Sequence, residues 1–410
     1  MFRASSGRYR LTPNGEFYLI GYGPRYESRR KPAQGVHDDI FARAVLLEVD
    51  GTEIYIFNAD YLEFEEWSCD EIKGMMAREY GLNENCILFS ATHDHHSVMD
   101  YHKHWNTGVF SQEYYDFYVE TVKRAYEECH ASLEECRMYF GRGMVEGYYG
   151  SRIFYGENAD NEVILAECRN ADGTVVAALC NWATHSTVLD PENTLLTADY
   201  AGVVCNELYR LRGYYPAMIV GAAGDCSNRA WRQGTDYGEL ERLASGVAKK
   251  IHEISCDTPL DLRFEGERLV KYRVNYIPED HTGEILAEIA GLQQEMERAE
   301  GAQEKKLLYD EANSLKRKLD LDEVDIGLYS SIIRLGDLEL VSSPGELGSA
   351  LGIELKQHSK ARCCIICGYT NGYKSYILQP ELMEHSARCR ASKYRPCDVR
   401  GYIDAIKDGM

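Results

Sequence analysis

No segment of this chain approaches the roughly 18–20 consecutive apolar residues that a membrane span needs. Nor is there a run of Lys and Arg long enough to suggest a basic patch. The 66 acidic residues outnumber 45 basic ones, giving a formal net charge of −21. That field repels phosphate, which argues against nucleic acid or an anionic membrane surface as a partner. Met1 to Arg8 carry charge with no apolar stretch behind it, so a secretory signal is not expected. A second Cys-x-x-Cys is also missing. Cys364 and Cys367 sit in the apolar run Cys363–Cys367 and read as a buried strand in preference to a redox or metal site. With no signal and scattered spacing, the 14 cysteines read as reduced thiols of a cytoplasmic protein.

What is present is ordinary for a soluble globular protein: 410 residues, 44% hydrophobic and 27% charged. The length is enough for a sizeable core, and with no repeat or low-complexity linker, residues 1–410 read as one domain. Ala44–Val49 and Ile54–Phe57 flank Asp50-Gly51, a hairpin signature. Val163–Cys168 and Thr174–Leu179 flank Asn170-Ala171-Asp172-Gly173 and predict a second hairpin. Helical stretches, among them Gln112–Leu133 and Asp199–Leu211, interleave with the strands. The expectation is an α/β fold with mixed β-sheets flanked by helices. Residues 283–320 differ in character. Ile285, Ile289, Leu292 and Met296, then Leu308, Ala312, Leu315 and Leu319, recur at helical spacing on either side of Gly301. They predict an inserted helical hairpin with a solvated charged face. Its alternative role is a packing arm or oligomer contact, so a homo-oligomer stays open.

Several apolar strands run straight into short polar clusters. Cys86–Ala91 leads into Thr92-His93-Asp94-His95-His96, and Val175–Cys180 into Asn181-Trp182-Ala183-Thr184-His185. Met218–Val220 leads into Gly224-Asp225-Cys226-Ser227-Asn228-Arg229, and Leu338–Val341 into Ser343-Pro344-Gly345-Glu346. Loops at strand ends are where α/β proteins build sites, because the sheet holds them rigidly. If strand geometry persists, His93 and His95 project to one side. One can then ligate a metal while the other moves protons. A catalytic zinc needs three or four N, O or S ligands, with one position open for water. His185 and Glu346 are the best candidates to complete the set. A single histidine among 12 is more often surface or satisfied core. His96 reads as supporting or structural, and His102 and His104 as lining or surface. Asp225 and Asp199 are candidate partners orienting the ligand histidines. For Asp199 the favoured alternative is the N-cap of the helix that follows.

His-x-His at a strand end also opens metallo-β-lactamase and amidohydrolase sites. The first needs a following Asp-His pair that Ser97-Val98-Met99-Asp100-Tyr101 lacks. The second needs an eightfold strand–helix alternation not found here. Taken in order, the clusters resemble the neutral/alkaline, non-lysosomal ceramidase family. Leu11-Thr12-Pro13, Gly21-Tyr22-Gly23 and Gly35-Val36-His37-Asp38 through Phe41-Ala42-Arg43-Ala44 are similar to that family's opening segment. Thr92-His93-Asp94-His95 is similar to its Thr-His-Thr-His. By that resemblance His93 is the first zinc ligand and His95 the neighbouring catalytic histidine. Arg152, in Gly150-Ser151-Arg152, falls where the family places an active-site arginine. His185 falls on the second zinc histidine, and Ser227 on an active-site serine. Pro344-Gly345-Glu346 matches the zinc carboxylate segment. Asn371-Gly372-Tyr373-Lys374-Ser375-Tyr376 matches the segment whose last tyrosine also binds zinc.

The resemblance implies one Zn2+ per chain, held by His93, His185, Glu346 and Tyr376, with His95, Arg152 and Ser227 catalytic. It implies hydrolysis of an amide (N-acyl) bond by metal-activated water, on a small-molecule or lipid-like substrate. The chain departs from the family in several respects, among them Asn228-Arg229 after Ser227 where the family has Pro-Asn. A Tyr-Glu pair expected after the zinc tyrosine is replaced by Glu384-His385-Ser386-Ala387-Arg388, and the long C-terminal β domain is missing. With Tyr101, Trp105, Tyr148 and Tyr149 expected near the cleft, a small or soluble amide is favoured over a membrane lipid. A zinc esterase and a non-catalytic metal-binding homologue remain as rival readings.

Overall fold

The computed structural model describes residues 1–23, 26–103, 109–319 and 321–410. The Asp50-Gly51 turn closes an antiparallel hairpin of Phe41–Val49 and Thr52–Ala59, with Val49 opposite Thr52. The second expected hairpin pairs Glu162–Asn170 with Val175–Trp182 and carries an irregularity between Cys168 and Arg169. Both belong to one mixed sheet. Its order is Ala217–Val220, Val175–Trp182, Glu162–Asn170, Glu134–Met144, Phe2–Arg10, Phe41–Val49, Thr52–Ala59, Ile87–Ala91. Thr258–Leu260 pairs off this path with Glu134–Met144. A second sheet is ordered Gly266–Tyr276, Val324–Leu335, Leu338–Ser342, Cys363–Cys367.

Side-chain alternation along the strands sorts these sheets into four layers. Leu46, Tyr55, Phe57, Phe89, Leu165 and Trp182 face helices that contribute Ile72, Tyr118, Val204 and Leu243. Their strand neighbours Val45, Leu47, Ile56, Leu88, Ile164 and Leu179 face the opposite way, against Ile333, Leu340 and Ile365 of the second sheet. The far face of that second sheet, through Ile332, Val341 and Ile366, packs on the helices Ser349–His358 and Pro396–Lys407. The architecture is thus helix, sheet, sheet, helix. Strands buried on both faces read as continuous apolar runs, as Cys363–Cys367 does. None of the 14 cysteines is in a disulfide, and 13 are buried, so Cys364 and Cys367 serve as core residues.

The helix Gln112–Ala131 shows how local signals and packing agree. Ser111 caps it by accepting from Tyr114 N–H at 3.2 Å, a contact worth about 1 kcal/mol. Tyr114, Tyr118, Val122, Ala125 and Cys129 recur at helical spacing and fill the core. Residues 283–320 form the expected hairpin, Thr282–Arg298 and Ala302–Leu319. It buries only a thin apolar seam, centred on Ile289, Ala312 and Leu315.

Two buried amides add side-chain bonds to the strand ladders, Asn58 within the first sheet and Asn181 between the two sheets. Asn58 donates to Met218 O (3.0 Å) and accepts from Met218 N–H (2.9 Å). Asn181 donates to Ile219 O (3.0 Å) and Ile366 O (2.9 Å). The loop after Cys367 then lies along the strand Ile87–Ala91, with Asn371 N–H on Phe89 O (2.9 Å). These bonds link five strands.

Candidate metal centre

Ile87–Ala91 ends before the histidine cluster, and His93 adopts a left-handed backbone, φ 57°. His93 and His95 therefore converge through a turn, rather than through the strand alternation expected from the sequence. His93 Nδ1 donates to Leu62 O (2.8 Å), which leaves the Nε2 lone pair facing inward. His95 Nε2 lies 3.1 Å from it. Gly21, at φ +90°, permits this turn: a Cβ there would stand 2.5 Å from His95 O. The adjoining Tyr22 ring packs 4.7 Å from the His95 ring.

His185 follows Val175–Trp182, and its Nε2 lies 3.0 Å from Glu346 Oε2. Glu346 Oε1 is 3.8 Å from His93 Nε2. Zinc–ligand bonds of about 2.0–2.1 Å in a tetrahedron give ligand–ligand edges of about 3.3 Å. The two observed edges bracket that value. Donor atoms of His93, His95 and His185 lie within 4.8 Å of one another. Arg152 stands alongside, with Nη1 3.2 Å from His185 Nε2 and Nη2 3.9 Å from Glu346 Oε2, and it donates to Gly224 O.

Burial and charge set the protonation states. Burial lowers the His93 pKa, and burial together with Arg152 pushes His185 down to about 3. Burial and the neighbouring His93 and His185 hold His95 well below its usual range. Burial works against ionising Glu346, but His93, His185 and Arg152 outweigh it and keep the carboxyl below the usual carboxylate range. Two neutral imidazoles and a carboxylate are the donor set a divalent zinc ion requires. The buried residues therefore fit the metal.

Tyr376 is held in register with Glu346 by a short parallel pair of strands, Glu346–Leu347 and Tyr376–Ile377. Its ring centroid lies 5.0 Å from the Arg152 guanidinium carbon. Two tyrosines that the sequence reading passed over reach the carboxylate instead. Tyr373 donates to Glu346 Oε1, and Tyr369 donates to Oε2 at 3.4 Å. Their signal was the density of tyrosine in the loop 369–376. Ser227 comes from a two-residue strand pairing with Gly150–Ser151, the segment that also delivers Arg152. Its hydroxyl accepts from Arg229 N–H (3.4 Å), so it is held by its own loop.

The supporting aspartates differ from expectation. Asp225 accepts from Ser349 N–H (2.7 Å), Ser349 Oγ (2.9 Å) and Gln379 Nε2 (3.0 Å), anchoring the helix Ser349–His358 instead of a ligand histidine. Asp199 is the first residue of the helix Asp199–Arg212, not its cap. It accepts from Val188 N–H (3.1 Å) and pairs with His96 Nδ1 (3.1 Å). His96 Nε2 faces Asp190 O, so both ring nitrogens of this histidine are engaged away from His93. His102 is buried between Glu63 (2.9 Å) and Glu65 (3.2 Å), not at the surface. Tyr101 stacks on Tyr61 and Tyr149 packs on Trp182, so both belong to the core. Tyr148 is half-buried against the same core, while His104 and Trp105 lie outside the described residues.

Of the seven described non-glycine residues with positive φ, only Asp50 sits in an ordinary hairpin turn. Tyr22, His93, Asp199, Tyr369, Asn371 and Ser375 belong to the site or the loops that form it. Such conformations cost about 1–3 kcal/mol each and persist where surrounding structure enforces them.

A buried N, N, O donor set beside an arginine, built on strand ends of an α/β/β/α sandwich, defines the class: a hydrolase with a candidate metal centre. The N-terminal model of the neutral/alkaline non-lysosomal ceramidases matches residues 6–209, which include His93, His95, Arg152 and His185. The chain belongs to that family, whose members are hydrolases acting on amide bonds. Its fold is similar to a ceramidase complexed with C2, at 17% identity and TM-score 0.76. It is equally similar to the neutral ceramidase of Pseudomonas aeruginosa, at 18% identity and TM-score 0.76. All of this chain and 74% of each of those is covered. No curated protein sequence matches the chain. Among the described residues no helix is long and apolar enough to cross a membrane.

Proposed function

We propose that the chain is a zinc-dependent amidase acting on N-acyl substrates. The observation that carries this reading is the convergence of His93 Nε2 and His185 Nε2 on the two oxygens of buried Glu346. His93, His185 and Glu346 would hold one zinc ion, with Tyr376 as fourth ligand on the strand paired to Glu346. Zinc bound there would bring the pKa of a water from about 16 towards roughly 7 and polarise a carbonyl. His95, kept neutral by burial, takes the proton from the attacking water and returns it to the leaving nitrogen as the C–N bond breaks. Arg152 stays cationic and has a buried Nε–H without a partner among the described residues, suited to the developing oxyanion. Ser227 positions substrate from the adjoining strand. The whole chain acts as one catalytic domain. Its buried thiols, none of them in a disulfide, suit a reducing compartment, so the cytoplasm is the proposed location.

Metal analysis of wild type beside His93→Ala and His185→Ala tests the site. One zinc per chain is expected in the wild type, with loss in both variants. Full occupancy in either variant would sink the reading. Matched amide and ester substrates separate the amidase from a zinc esterase. Stoichiometric zinc with no turnover across an N-acyl panel would leave only a metal-binding role.

A further inference from the structure

Tyr376 is also the wall of a cavity of about 210 Å³ on the side of the hairpin insertion. Ser314 and Arg317 of the helix Ala302–Leu319 line it, with Ser375, Ser392 and Lys393 opposite. No acidic side chain is among its described lining residues. That is against the grain of a chain with net charge −21. Arg317 donates to Ser314 Oγ (3.2 Å), and the Lys393 ammonium lies 5.7 Å from the Tyr394 ring. Neither cation has a carboxylate partner among the described residues, whereas Lys374, Arg390, Arg400 and Lys407 do. Burial, with Lys374 nearby, pulls the Lys393 pKa down, so the ammonium gains from any anion that enters. The Tyr376 ring that lines this cavity also lies 5.0 Å from the guanidinium carbon of Arg152, which stands beside Glu346.

Two cations without a carboxylate partner among the described residues, three serine hydroxyls and a cramped volume make a receptor for a compact anion. A long acyl chain is not what such a lining attracts, because burying it there would strand polar groups. We propose that this pocket binds an anionic group, a carboxylate or a phosphate ester, on the amide that the site hydrolyses, making N-acyl amino acids or N-acyl amino phosphates the preferred substrate class. The inference rests on the amidase reading. The hairpin insertion then has a function: it supplies the arginine that selects substrate.

The test uses three matched amides: N-octanoylglycine, N-octanoyl-O-phosphoethanolamine and the neutral N-octanoylethanolamine. Wild type is expected to show a KM for at least one anionic amide about tenfold or more below that of the neutral one, the size of a charge-assisted contact. Whichever anion gains identifies the group. In R317Q/K393Q that advantage disappears through KM, with kcat and the neutral substrate unchanged. Equal KM values for all three amides in wild type would overturn the proposal, as would a variant that slows all three alike. Should the double variant fail to fold, Lys393→Gln alone carries the same comparison, with Lys393→Arg restoring KM. Calorimetric titration of N-octanoylglycine separates the two readings. If no amide is turned over but binding is seen in wild type and lost in the variant, the pocket stands and the amidase reading falls. Binding unaffected by the substitutions, or absent from wild type, refutes the pocket.

Discussion

Replacing Glu346 with glutamine keeps the side chain's shape and removes its charge, which isolates what the carboxylate does in the metal-free protein. Glu346 and Arg152 are both buried, with Oε2 and Nη2 3.9 Å apart. At an effective dielectric near 20 their attraction is about 4 kcal/mol. The glutamine also offers one acceptor oxygen where Tyr369 and Tyr373 donate to two, adding about 1 kcal/mol or more for a stranded hydroxyl. Removing one member of a buried pair typically costs about 3–5 kcal/mol, because the other charge is left uncompensated. Denaturant unfolding of chelator-treated E346Q should therefore show a loss in that range. R152M alone should also destabilise, and E346Q/R152M should recover part of the combined loss, since no buried charge is then orphaned. Added zinc should stabilise the wild type and not E346Q. A metal-free E346Q within about 1 kcal/mol of wild type, or additive single effects in the cycle, would refute the argument that this carboxylate neutralises Arg152.

Other outcomes follow from the same structure. Burial pushes the Asp100 carboxyl up to about 6, so its protonated form is favoured in the fold. Relative to an unfolded value of about 3.9, that contribution is full below pH 4 and is lost as pH rises through 6. Asp100→Asn, whose oxygen can still accept from Tyr18 N–H, should then be about 3 kcal/mol more stable than wild type at pH 7 and little more stable at pH 4. Thermal unfolding at both pH values checks it, and a pH-independent difference would contradict it. Gly224→Ala places a Cβ 2.4 Å from Glu346 O, a backbone atom that cannot step aside. It should cost about 1–3 kcal/mol and weaken zinc retention, measured by unfolding and metal analysis. Cys364→Ala with Cys367→Ala should leave zinc content unchanged while costing about 1 kcal/mol each in the core. Loss of stoichiometric zinc would restore the Cys-x-x-Cys as a metal site.

Local pattern determined much of this protein. The two hairpins, the helix Gln112–Ala131 and the hairpin insertion were legible because turn chemistry and side-chain period are written in adjacent residues. The polar clusters at strand ends were legible for the same reason, since apolar runs must stop where backbone leaves the sheet. Partnership was not legible. Asp199 read as a helix cap, but in the fold it lies within reach of His96, 103 residues away in sequence. Asp225 read as a histidine partner, yet the packing of Ser349–His358 claims both its oxygens. Tyr369 and Tyr373 carried no role in the sequence, and the loop after Cys367 lays both against Glu346. Arg317 sits in a helix whose charges read as a solvated face, and only the packing of that helix beside Ser375 and Tyr376 makes it the wall of a pocket. The physical reason is common to all four. A periodic pattern is set by neighbours in the chain, whereas a hydrogen-bond or ion partner is chosen by burial, and burial is decided only when distant segments meet.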